Sequence, residues 1–272
     1  MAYSPDQNGT NKSPVTQSAP GAEMVCLDNL KYMKGLPAES MQLVVTSPPY
    51  KIGKAYEAKS SLEIYIAAQA KLIAECVRLL HPLDTMLYPI FQRHGLKLRN
   101  RIVWHFEHGL HCSKRLSGRY ETILWFTKGD DYIFNLDPIR VPSKYPGKKY
   151  FKGPKAGQFS GNPLGKNPGD VWVFPNVKNN HVEKTPHPCQ FPVELIERLV
   201  LSLTEKGGNV LDPYMGVGTA IIGAELHGRI GYGCDVVRQY ADIAVERLGE
   251  LKAGTLRTRP MHKPALPYGG HR

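Results

Sequence analysis

The amino-acid sequence predicts an α/β fold, a doubly wound and mostly parallel sheet with helices on both faces. Two observations carry that expectation. From residue 192 to residue 251, amphipathic stretches alternate with short apolar runs in the order helix, strand, turn, helix, strand, helix. Within that series, Asp212-Pro213-Tyr214-Met215-Gly216-Val217-Gly218-Thr219 joins a strand directly to a helix, and Asp235 ends the next strand. A glycine turn between strand and helix is how such sheets bring backbone amides up to a ligand at the carboxyl ends of the strands.

The elements follow in chain order. Met24–Leu27 is a short apolar run ending at Asp28, and Leu43–Thr46 is a second one that stops at Ser47-Pro48-Pro49-Tyr50. Leu62, Ile66, Leu72, Ile73, Val77 and Leu80 recur at helical spacing, and Pro82 ends that helix. Lys97–Phe106 and Thr122–Thr127 read as strands, whereas 138–180 is rich in Pro, Gly, Lys and Asn and reads as a long functional loop. Pro192–Leu203 is an amphipathic helix, Asn209–Leu211 a strand, Ala220–His227 a helix closed by Gly228, Ile230–Cys234 a strand and Val237–Leu251 a final helix. The expected organisation is a disordered leader over 1–21, one domain over 22–254 and a frayed tail over 255–272.

Composition narrows the class. The 272 residues are 42% hydrophobic, enough for a substantial core, and no apolar run reaches the roughly 20 residues of a membrane helix. Five widely spaced cysteines without a C-x-x-C pair point to reduced thiols and a cytoplasmic protein. The net charge of +11 is concentrated: residues 93–184 hold 17 Lys and Arg against 7 Asp and Glu. A localised basic excess is the footprint of a polyanionic partner, most often nucleic acid.

Two constellations carry chemistry. Gly216 and Gly218 let the backbone approach a ligand, and an acid about 20 residues further on is placed to hold ribose hydroxyls. A third glycine at the dinucleotide spacing is lacking, so a nicotinamide is not indicated. Thr46-Ser47-Pro48-Pro49-Tyr50 ends a strand with two φ-fixed residues whose carbonyls, with the Ser47 hydroxyl, accept hydrogen bonds from an amino group. Tyr50 adds a flat face on which a base stacks.

Together, Thr-Ser-Pro-Pro-Tyr and Asp-Pro-Tyr-Met-Gly-Val-Gly-Thr resemble the DNA amino-methyltransferases specific for cytosine N4 or adenine N6. The catalytic motif precedes the cofactor motif, and His187-Pro188-Cys189-Gln190-Phe191-Pro192 stands just before the latter, which is the β-type, permuted order. The similarity runs from about Met24 to about Leu251.

The resemblance implies a Rossmann-like S-adenosylmethionine-dependent methyltransferase sheet with an inserted target-recognition region over about 101–184. It assigns Ser47, Pro48, Pro49 and Tyr50 to catalysis. It assigns Asp28, Gln190, Asp212, Pro213, Tyr214, Gly216, Gly218, Thr219 and Asp235 to S-adenosylmethionine, with Phe191 at a position where Lys is frequent. Lys114, Arg115, Arg119, Lys148, Lys149 and Lys152 become expected DNA contacts. The partners implied are double-stranded DNA with a base flipped from the stack and a cognate restriction endonuclease. Ser at the first motif position favours cytosine N4, with adenine N6 as the alternative.

Cys189 beside Pro188 is set aside as a C5-methylation nucleophile, since Ser-Pro-Pro-Tyr belongs to direct amine methylation. His105, His108, His111 and Cys112 are set aside as a metal centre, because their spacing scatters them along a strand. One departure stands out. Leu79-Leu80-His81-Pro82 runs into Leu83-Asp84-Thr85-Met86 without the family's Gly-Gly turn, and Pro89 interrupts Thr85–Phe91, the only apolar stretch available for the next strand. This predicts a sheet lacking one central strand, and with it the alternative of a DNA-binding protein with impaired catalysis.

Overall fold

The computed structural model describes residues 16–19, 21–48, 61–79, 95–106, 109, 111–178 and 180–263. Five strands form the main sheet: β1 (Thr16–Ala19), β2 (Ala22–Cys26), β3 (Leu43–Val44), β7 (Asn209–Asp212) and β8 (Ile230–Asp235), in the order β1-β2-β8-β7-β3. All neighbours are parallel except β1 and β2, which form an antiparallel pair with Thr16 opposite Val25. The disordered leader expected over 1–21 is corrected at Thr16–Ala19, which donates an edge strand, while 1–15 lie outside the described residues.

Adjacent residues of each strand point to opposite faces, and both faces are covered. Met24, Leu43 and Val210 meet α3 (Val193–Leu203), α4 (Thr219–Leu226) and α5 (Arg238–Lys252) in one buried cluster. Val25, Val44, Leu211 and Cys234 meet α1 (Asn29–Gly35) and α2 (Leu62–Leu79) in a second. This is the doubly wound fold with helices on both faces.

A second sheet has the order β5-β4-β6, where β4 is Lys97–His105, β5 is Tyr120–Thr127 and β6 is Val171–Val173. Trp104, Trp125 and Trp172 join the first buried cluster from this sheet. The Trp104 indole donates to the Phe174 carbonyl at 2.9 Å and that of Trp172 to the Gly169 carbonyl at 2.8 Å, so both buried N–H groups are satisfied.

The long loop is more ordered than its composition predicts. A 3₁₀ turn covers Asp137–Ile139, Val141 bridges Lys166, and Lys149 bridges Phe159. The Ser160 amide donates to the Lys148 carbonyl at 2.8 Å, and Tyr150 and Gly157 close the ribbon tip at 3.0 Å. The tail is also corrected over 255–263, the remainder lying outside the described residues. Met261 is buried in the main cluster, and Arg259 pairs with Glu194 at the start of α3. The expected gap after α2 lies at 80–94, outside the described residues. No helix among the described residues is long and apolar enough to cross a membrane.

Candidate functional site

The parallel strands β2, β8, β7 and β3 all end at one edge. Cys26 lies beside Asp235, Asp212 beside Gly233 and Val44 beside Leu211. The two motifs singled out in the sequence leave the sheet there, and they share one cleft. Ser47 and Pro48 line it with Tyr214, Gly216, Thr219 and Asp235. His187, Cys189, Gln190 and Phe191 form a further wall, and Val236, Val237 and Tyr240 stand beside Asp235.

The glycine turn is built for close approach. Gly216 has φ +51°, and a Cβ there would stand 3.1 Å from Nε2 of His187. Gly218 has φ +76° and caps α4, with Cβ of Ala244 2.9 Å from where its own would be. Arg247 of α5 fixes the far side of the turn, donating from Nη1 to the Val217 carbonyl at 2.6 Å and to Oγ1 of Thr219 at 3.2 Å.

Two acids organise the strand ends. Asp235 accepts from the Gly216 amide through Oδ2 at 3.1 Å and from the Val237 amide through Oδ1 at 2.8 Å. Burial raises its pKa against those amide bonds. Each carboxylate oxygen keeps further acceptor capacity beside these bonds. Asp212 is fully buried beneath the turn and accepts from the Tyr214 amide at 3.0 Å. Burial pushes its carboxyl up to about 7, opposed by that amide, while the nearby Asp235 charge raises it further.

His187 is neutral. Burial, and then the Lys184 ammonium, bring its pKa down to about 4. Its Nδ1 accepts from the Cys189 amide at 3.3 Å, which leaves the proton on Nε2, facing Gly216. Its ring meets Tyr240 edge-on at 4.6 Å. Gln190 is held by the Glu183 carbonyl, to which its Nε2 donates at 2.8 Å, and by Oγ1 of Thr185, which donates to its Oε1 at 2.8 Å.

The cleft therefore gathers Ser47, Pro48, Gln190, Tyr214, Gly216, Thr219 and Asp235. Asp212, Pro213 and Gly218 shape the turn from behind. Asp28 is the N-cap of α1, accepting from the Lys31 amide at 3.1 Å, and stands near Tyr214 without lining the cleft. Pro49 and Tyr50 lie outside the described residues. Met215 and Val217 of the glycine-turn motif also line the cleft, and Val236, Val237 and Tyr240 do so without having been singled out. The Val-Val pair directly after Asp235 was the available signal, because apolar residues at a strand's carboxyl end face the ligand crevice.

Of the basic residues, Lys114, Arg115, Lys148, Lys149 and Lys152 are exposed. Arg119 is half-buried and donates to the Gly109 carbonyl at 2.8 Å. Lys149 stacks over Phe159 at 5.3 Å, and Phe151, at the ribbon tip, is 89% exposed.

Comparison with known proteins agrees with this geometry. The model of the DNA methylase family matches residues 41–246. The type II methyltransferase M.BglII of Bacillus subtilis is 47% identical over 241 residues, covering 81% of this chain and 67% of that protein. The solved structure of the PvuII DNA methyltransferase, described as cytosine-N4-specific, superposes with a TM-score of 0.64 at 18% identity, over 93% of this chain and 99% of that one. The protein TTHA0409 of Thermus thermophilus, solved in complex with S-adenosyl-L-methionine, superposes with a TM-score of 0.53 at 25% identity, over 82% of this chain and 92% of that one. With its catalytic motif ahead of its glycine turn, the chain belongs to the permuted branch of the DNA methylase family and is an S-adenosylmethionine-dependent DNA methyltransferase that acts on an exocyclic amino group.

Proposed function

We propose that the amino group methylated is N4 of cytosine, and that Ser47 and Pro48 present it to the cofactor. The observation that carries this reading is that Ser47 and Pro48 line the same cleft as the glycine turn and Asp235. The donor set fits the cofactor: a carboxylate at the end of β8, a turn with no Cβ at 216, and the buried amide side chain of Gln190. S-adenosylmethionine, when bound, supplies the sulfonium methyl group.

The chain's own residues orient the acceptor. The Ser47 hydroxyl and the Pro48 carbonyl accept hydrogen bonds from the amino hydrogens, which favours a pyramidal nitrogen with its lone pair free of the ring. Tyr50 stacks on the flipped base. Holding nitrogen and methyl at near-contact distance supplies much of the rate without a covalent enzyme intermediate. Ser47 stands at the first motif position, where the family resemblance associates Ser with cytosine rather than adenine.

The basic segment supplies the grip on DNA. Lys148, Lys149 and Lys152 sit on the exposed ribbon held by the Lys149–Phe159 bridge, and Lys114, Arg115 and Arg119 precede β5. Phosphate contacts from these side chains set the register on the duplex. A cognate restriction endonuclease is the partner in the cell, in keeping with likeness to a type II methyltransferase. Digesting methylated DNA to nucleosides and identifying the product by mass spectrometry tests the base. N4-methylcytosine is expected, and N6-methyladenine alone would overturn cytosine as the target.

A further inference from the structure

The wall formed by 187–191 has no regular secondary structure of its own, yet it abuts Gly216 directly. It is held by Glu183. That side chain is 4% exposed, and both its carboxylate oxygens are engaged by backbone amides from different parts of the chain. Oε1 accepts from the Arg259 amide at 3.0 Å, and Oε2 accepts from the amide of Val193, the first residue of α3, at 2.9 Å. The Glu183 carbonyl accepts from Gln190, Gln190 accepts from Thr185 through both backbone and hydroxyl, and the Thr185 hydroxyl accepts from the His187 amide at 3.2 Å. The chain of bonds ends on the Gln190 side chain and the His187 backbone amide, both in the wall that lines the cleft.

The other end of the network is the C-terminal segment. Arg259 reaches the fully buried Glu194 with Nη1 and the Lys263 carbonyl with Nη2 at 2.8 Å, and Met261 anchors the segment in the main core. Arg247, which fixes the glycine turn, adds its positive charge toward Glu183 from α5. None of these residues lines the cleft.

We propose that Glu183 and Arg259 are positioning residues for the cofactor, and that the segment 255–263 is a strap fastening the His187–Phe191 wall against the glycine turn. The inference rests on placing S-adenosylmethionine in this cleft. Its physical basis is pre-organisation: a loop wall held in its bound geometry saves the ordering cost at binding, and a loosened wall loses affinity without losing the fold.

The test uses the full-length protein and measures KM for S-adenosylmethionine, KM for DNA and the thermal midpoint in parallel. Glu183→Gln removes one of the two amide acceptors and is expected to raise KM for S-adenosylmethionine about tenfold while KM for DNA stays within about twofold. Arg259→Ala is expected to do the same, with Arg259→Lys recovering most of the loss because it restores a cation beside Glu194. Thr185→Val is the second route, since it removes the hydroxyl bonds to Gln190 and from His187 at a half-buried position, leaving only the Thr185 amide on Gln190, even if Glu183→Gln does not fold. A lowered thermal midpoint with an unchanged KM for S-adenosylmethionine in Thr185→Val and Arg259→Ala would reduce the network to a structural role and overturn the proposal. Asp235→Ala separates the two levels. If it weakens cofactor binding while the strap variants do not, the strap fails and the cleft stands; if neither does, the cleft reading fails as well.

Discussion

The carboxylate of Asp235 accepts the amide hydrogen of Gly216 at 3.1 Å, joining the end of β8 to the turn that follows β7. One side chain thus fixes the turn and keeps further acceptor capacity beside that bond. Asp235→Ala is expected to weaken S-adenosylmethionine binding by about 1–3 kcal/mol, the cost of leaving polar groups unpaired. Titration calorimetry measures it, and an unchanged affinity would remove Asp235 from the cofactor site.

Gly218 holds φ +76° with Ala244 against it. Gly218→Ala combines a left-handed backbone with a clash against α5, and should destabilise the fold by about 1–3 kcal/mol. Urea unfolding tests this, and a variant as stable as the parent would show that the turn relaxes freely.

His187 makes stability depend on pH. Its pKa falls from 6.5 in the unfolded chain to about 4 when folded, because burial and Lys184 disfavour the imidazolium. The unfolded state therefore binds more protons between those values. The contribution of the neutral ring is full above pH 6.5 and is lost as pH falls toward 4, on the order of 3 kcal/mol. Asp212 and Asp235 have raised pKa values and act in the opposite sense. The contrast with His187→Gln isolates the histidine: the parent should lose more stability than the variant between about pH 7 and about pH 5. Equal losses would place the His187 pKa near its ordinary value.

The basic recognition segment predicts DNA binding that falls steeply with salt, with a log–log slope of about −0.9 per phosphate neutralised. Replacing Lys148 and Lys149 together by Ala should make the slope shallower by about 1–2. Fluorescence anisotropy on a labelled duplex measures both, and a slope untouched by the double substitution would move the contacts off the ribbon.

Much of this site was legible because its parts are local in sequence. The β7 turn, Asp235 and Ser47-Pro48 are read from contiguous motifs, and sheet topology alone brings their strand ends together. What escaped the sequence depends on distant contacts. Thr16–Ala19 is polar and becomes a strand only because β2 offers an open edge. The tail is ordered by Arg259 finding Glu183 and Glu194, respectively 76 and 65 residues away along the chain. Glu194 itself is fully buried in a helix whose amphipathic pattern places a glutamate outside, and a partner from the tail is what makes that tolerable. In the Pro- and Gly-rich recognition segment, β6 buries only Trp172, too short a run to register as periodicity.

The central claim is that the cleft at the ends of β3, β7 and β8 transfers a methyl group to DNA. Incubating the purified protein with tritiated S-adenosylmethionine and mixed-sequence duplex DNA tests it directly, with Ser47→Ala in parallel. The account predicts label in the DNA from the parent and a kcat at least about tenfold lower in the variant, equivalent to ~1.4 kcal/mol of lost transition-state stabilisation. Undiminished transfer by Ser47→Ala would take the chemistry away from this cleft, and no label in DNA from the parent would contradict the account as a whole.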